Sequence, residues 1–185
     1  IVYHPFGGDN VLAEKRVVKV GPPKPDGKLW MDYNFEFVAV ADEVELNRTP
    51  IIGDPDGKSW GGYAGLSMRF SQDFMDSEFI TPWNDNNSIN GRQGDWIYMG
   101  FTGIDGEKVG SQIMVPSGSR RDGWAWYMVD SEQQPFYYYS PAYLYFKPLT
   151  IKRGEKIQLN YRILHISGTT NKTKLDKEFQ EYVKN

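Results

Sequence analysis

The chain has 185 residues, enough to bury a real core in a single domain, and it is 39% hydrophobic and 15% aromatic with a formal net charge of -3. That balance argues against a basic face for nucleic acid or an anionic membrane surface, and the aromatic content favours a packed β-rich domain over a disordered chain or a helical bundle. The lack of any cysteine excludes disulfides, thiol nucleophiles and cysteine-ligated metals, and no apolar run approaches the roughly 20 residues of a membrane span.

Residues 1–10 read as a loop, and the start at Ile1 rather than methionine reads as a processed or trimmed product, with any export signal lying upstream. Leu12–Val20 follows as a first strand, and residues 21–27, rich in proline and glycine, as a rigid turn. Over Leu29–Val40, Leu29, Met31, Tyr33, Phe35, Phe37 and Ala39 share one strand face while Trp30, Asp32, Asn34 and Glu36 share the other. Val44–Arg48 is a short strand, and the Asp-Pro-Asp-Gly run at 54–57 is a turn. Ala64, Leu66, Met68 and Phe70 alternate with Gly65, Ser67 and Arg69. Ser71–Gly94 is polar and irregular and predicts a long surface loop around Trp83.

Asp95–Gly103 and Gly110–Val115 predict a hairpin turning at Asp105-Gly106, and Trp124–Val129 a further strand. The cleanest strand is the last: Ile157, Leu159, Tyr161 and Ile163 alternate with Lys156, Gln158, Asn160 and Arg162. Thr173–Lys184 carries a helical stripe, Leu175, Phe179, Tyr182 and Val183, with Thr173 and Asp176 spaced as a capping box. Short strands without βαβ alternation predict an all-β fold: one antiparallel β-sandwich over residues 1–185, of supersandwich or jelly-roll type, with one C-terminal helix over 173–184.

Three of these strands pair an apolar face with a row of forked or hydroxylated groups: Trp30, Asp32, Asn34 and Glu36; Ser67 and Arg69; Gln158, Asn160 and Arg162. Vicinal sugar hydroxyls are matched by bidentate amide, carboxylate and guanidinium groups, and an aromatic ring stacks on the apolar face of a pyranose. The competing reading is the solvated side of an antiparallel sheet, which alternation alone would produce. His165 falls in phase with the apolar row and is either a rim histidine satisfied by a backbone carbonyl or a general acid or base. Asp32 and Glu36 lie about 13 Å apart along their strand, too far for a glycosidase carboxylate pair. Two histidines and no cysteine argue against a transition-metal site and leave a carboxylate–carbonyl calcium site open. Trp83 sits in a loop able to close over a ligand or simply to cover the surface, whereas Trp60, Trp124, Trp126 and the Phe136–Tyr139 cluster read as packing.

The segments Trp60–Phe70, Gly94–Gly100 and Arg153–His165 together resemble a bacterial all-β family whose name likens it to a methane oxygenase. The resemblance runs from about Leu29 to Gly168, and the fold it implies is similar to the galactose-mutarotase-like supersandwich, with a role in sugar catabolism. The copper membrane oxygenase that the family name suggests conflicts with this chain, which has two histidines and no span. A His-His-Arg-Gly-type segment usual in that family has no match here, since His4-Pro-Phe-Gly-Gly is not that motif. The chain is thus either a fragment or a branch that has lost a site.

These readings combine into one expectation: a carbohydrate-associated sandwich that binds a small sugar or oligosaccharide on a concave polar face through Asp32, Glu36, Asn160, Arg162, Trp30 and Trp83. As an enzyme it would be a metal- and cofactor-independent epimerase or lyase, with His165 moving a proton and Arg69 stabilising developing negative charge. The alternative is a non-catalytic binding or structural accessory module, and a periplasmic or extracellular setting suits both. No nucleic-acid partner is expected, and the oligomeric state is left open.

Overall fold

The computed structural model describes residues 1–51, 53–58, 62, 64–85, 87–130 and 137–184. Its strands are β1 (Val2–Tyr3), β2 (Leu12–Val20), β3 (Lys28–Ala39), β4 (Glu43–Leu46), β5 (Met68–Arg69), β6 (Met75–Ile80), β7 (Trp96–Thr102), β8 (Lys108–Met114), β9 (Ala125–Val129), β10 (Tyr138–Ala142), β11 (Leu149–Lys152) and β12 (Lys156–Ser167); one helix, α1 (Lys172–Lys184), follows. A seven-stranded sheet runs in the order β1-β2-β3-β12-β8-β7-β6. A three-stranded sheet, β5-β10-β9, and the β4–β11 pair complete the β structure. Every ladder among the described strands is antiparallel, so the chain is an all-β antiparallel sandwich with one C-terminal helix.

The long pair β3–β12 sets the register, with Asn160 opposite Asn34 and Arg162 opposite Asp32. Tyr33, Phe35 and Phe37 therefore share the inner face with Leu159, Tyr161 and Ile163. That face joins Met99, Phe101 and Ile113 in a core closed by Trp126 and Tyr139 of the smaller sheet. Leu159, Tyr161 and Ile163 are buried and Tyr33, Phe35 and Phe37 partly so, and each large apolar side chain fully buried favours folding by about 1.5–3 kcal/mol.

Helix α1 covers the outer face at one end, seating Leu175 and Phe179 against Trp96, Tyr98, Met114, Leu164 and Ile166. Strand β7 is thus covered on both sides and is buried from Trp96 to Phe101 without alternation. The helix is pinned by polar contacts as well: the Trp96 indole donates to Asp176 at 3.2 Å, and the Gln112 amide donates to the Leu175 carbonyl at 3.0 Å.

Three local expectations change. The helix cap is Asn171, whose side chain accepts the Lys174 N–H at 3.0 Å, and Thr173 lies inside the helix; Asn171 is both the better cap and correctly placed one residue ahead. Within the expected loop 71–94, Met75–Ile80 is a strand at the sheet edge, paired only with β7 and with a register shift between Met75 and Glu78. An edge strand with one covered side needs no strict alternation, which hid it. Residues 1–10, expected as a loop, contribute the two-residue strand β1, in which Val2 and Tyr3 pair with Ala13 and Leu12 of β2. Trp124, Trp126 and Tyr137–Tyr139 are buried packing groups, whereas Trp60 and Phe136 lie outside the described residues.

Candidate functional site

His165 sits near the end of β12 on the inner face, directly opposite Ser111 of β8. The two share a hydrogen bond of 2.7 Å between His165 Nδ1 and the Ser111 hydroxyl. Ser111 is itself fixed, because it is buried and its carbonyl accepts the Tyr139 hydroxyl at 2.7 Å. Burial of His165 pushes its pKa below the usual value, so the imidazole is neutral at physiological pH. Its Nε2 has no protein partner among the described residues.

His165 lines a cavity of about 590 Å³ together with Arg69, Ser71, Asp105, Ser111 and Ser167. Phe70 and Phe74 supply apolar wall. The hairpin β7–β8 provides another wall through Gly103–Asp105. Its tight turn depends on Gly106 at φ 82 and on the Asp105 carboxylate accepting the Glu107 N–H at 3.1 Å. Arg69 comes from β5, where it lies opposite Tyr138, and is exposed. A neutral, oriented imidazole, a guanidinium and several hydroxyls in one recess can bind a polyhydroxylated ligand and exchange a proton with it.

The remaining predicted residues lie elsewhere. Asp32, Glu36, Asn160 and Arg162 do align side by side, as their rows imply, but on the outer face of the β3–β12 ladder. The side-chain period of two puts them across the sheet from His165, so one concave face does not carry both sets. Arg162 donates to Asp32 through Nε at 2.6 Å and a terminal nitrogen at 2.8 Å, and its guanidinium lies between the Trp30 ring at 4.7 Å and the Tyr182 ring at 4.5 Å. Asn160 and Glu36 line a shallow outer depression of about 230 Å³ with Gln158 and Lys15. Hydrogen bonds from Gln158 and Lys156 hold Glu36 below the usual carboxylate range. Trp83 is in neither place: it donates to the Gln93 carbonyl at 3.1 Å and is capped by Arg92, 3.9 Å from its ring centre.

Sequence reasoning misses Ser111. The signal is a hydroxyl on the apolar phase of β8, between Val109 and Ile113, matching a histidine on the apolar phase of β12. Only the register shows that the two meet. Among the described residues, no group of three or more acidic or histidine side chains is placed to hold a metal ion, and no helix is long and apolar enough to cross a membrane.

No curated protein and no solved structure matches the chain. A family model does, over residues 1–180, and the chain belongs to that family, DUF6807, a family of unknown function.

Proposed function

We propose that this protein binds a carbohydrate in the His165–Arg69 cavity and moves a proton at a sugar carbon, without a metal, as an epimerase or lyase does. One observation carries the reading: a neutral histidine, held through Nδ1 by Ser111, shares a cavity of about 590 Å³ with a guanidinium. With Nδ1 engaged, Nε2 is the nitrogen left to exchange a proton with ligand, and Arg69 is the cation on the same cavity wall for an enolate or carboxylate oxygen. Phe70 and Phe74 offer apolar wall for a pyranose face, and Ser71, Asp105 and Ser167 offer hydroxyl partners. The resemblance read from the sequence segments Trp60–Phe70, Gly94–Gly100 and Arg153–His165 implies the same ligand class.

The test is a thermal-shift screen with monosaccharides, oligosaccharides, uronates and keto-sugars, followed by proton NMR of the hits in deuterium oxide. A ligand at about a hundred times its dissociation constant adds roughly 2.7 kcal/mol of stability. The expected result is a stabilising sugar and deuterium wash-in at one carbon, abolished in His165→Ala and strongly reduced in Arg69→Ala. Unchanged binding and exchange in both variants would overturn the assignment.

A further inference from the structure

We propose that a second cavity, on the inner face of β2 and β3, binds a small six-membered ring bearing a carboxylate. This cavity measures about 300 Å³, a size suited to one ring. It is separate from the His165 recess: Tyr161 lines this one and His165 the other, four residues and roughly 13 Å apart along β12, with buried Ile163 between them. The proposal therefore stands apart from the proton-transfer reading.

Its wall is aromatic. Tyr33 and Phe35 stack at 6.2 Å, Phe35 and Phe37 at 6.1 Å, and Tyr161 meets Phe35 edge-on at 6.2 Å. Its polar side is built around Glu14, whose side chain has no exposed surface. Glu14 accepts Arg16 Nε at 2.5 Å on one oxygen and the Tyr3 hydroxyl on the other. Burial pushes this carboxyl up, but the hydrogen bonds from Arg16 and Tyr3 outweigh it, and the group is held below the usual carboxylate range.

That network engages both oxygens of Glu14 and leaves Arg16 partly open to solvent. Arg16 interacts with Glu14 and with the Tyr3 side chain, yet its side chain is 44% exposed, with its guanidinium 5.3 Å from the Phe35 ring centre. Tyr161 lines the cavity and is 1% exposed, and its hydroxyl has no hydrogen-bond partner among the described residues. A half-exposed guanidinium fork, a buried hydroxyl and a flat aromatic wall call for an acceptor pair on a ring with an apolar face. An aromatic acid and a uronic acid share that chemistry.

Isothermal titration with benzoate and with glucuronate, against benzamide and methyl glucoside as neutral counterparts, tests it. Saturable millimolar or tighter binding of one acid over its neutral counterpart is expected, and which acid binds names the source. Tyr161→Phe, which removes the unpartnered hydroxyl, should keep its melting temperature and lose roughly tenfold in affinity. Arg16→Lys, which keeps a cation beside Glu14, should weaken binding as well, whereas His165→Ala should bind normally. The proposal is overturned if neither acid binds, if the neutral counterparts bind equally, if Tyr161→Phe or Arg16→Lys retains full affinity, or if His165→Ala loses it.

Discussion

The two faces of β12 treat polar side chains in opposite ways. On the outer face, Arg162 and Gln158 bond straight across to Asp32 and Glu36 of β3, so groups that look available in the sequence are spent on each other. On the inner face, His165 is one polar group in an apolar row, bound at one ring nitrogen to Ser111 and bordering a cavity with the other unpartnered. Antiparallel register brings complementary residues on neighbouring strands within reach and neutralises them. A polar residue out of phase with its own face escapes that pairing and keeps its capacity for a ligand.

The largest effect that would break this contrast is on the inner face. Ile163→Ala should lower stability by about 2–5 kcal/mol in denaturant unfolding, because it leaves a void between the two cavities in a packed core. On the outer face, Arg162→Met keeps the packing between Trp30 and Tyr182 but strands Asp32, and should cost roughly 1.5–3 kcal/mol. If it instead changes ligand binding in the His165 cavity, the separation of the faces is wrong.

A pH titration sharpens the comparison further. Burial holds the folded His165 imidazole below its unfolded value of about 6.5, so the unfolded chain takes up the proton first. Its contribution to stability is complete above that pH and declines as pH falls towards the folded value. His165→Gln should flatten that part of a stability–pH profile measured by urea unfolding, and an unchanged slope would show that another group titrates there. The smallest effect belongs to Glu36→Gln, a half-buried member of the outer row whose ion pair with Lys156 is solvent-facing, which should leave the melting temperature nearly unchanged.

Much of this arrangement was legible in the residues themselves. Alternation over Leu29–Val40 and Lys156–Ile163 states strand, phase and inner face at once, because a period of two leaves a half-buried strand little choice. The helical stripe at Leu175 and Phe179 is equally plain. The hairpin of β7 and β8 was read as well, although β7 is apolar throughout because the helix covers its second face; what stayed hidden was β6, an edge with polar residues and a shifted register. The candidate site was half legible. His165 and Arg69 stand out as residues, but nothing local announces Ser111 or the Glu14–Arg16–Tyr3 network.

The sequence by itself therefore determined the fold class, the inner row of the long strands and the terminal helix, since these follow from local periodicity and burial. Tertiary structure alone decided which polar groups meet. Pairing of Arg162 with Asp32 and of Ser111 with His165 depends on strand order and register between segments 130 and 54 residues apart. Contacts at that separation arise from closing the sheet and packing its layers, and no local pattern encodes them.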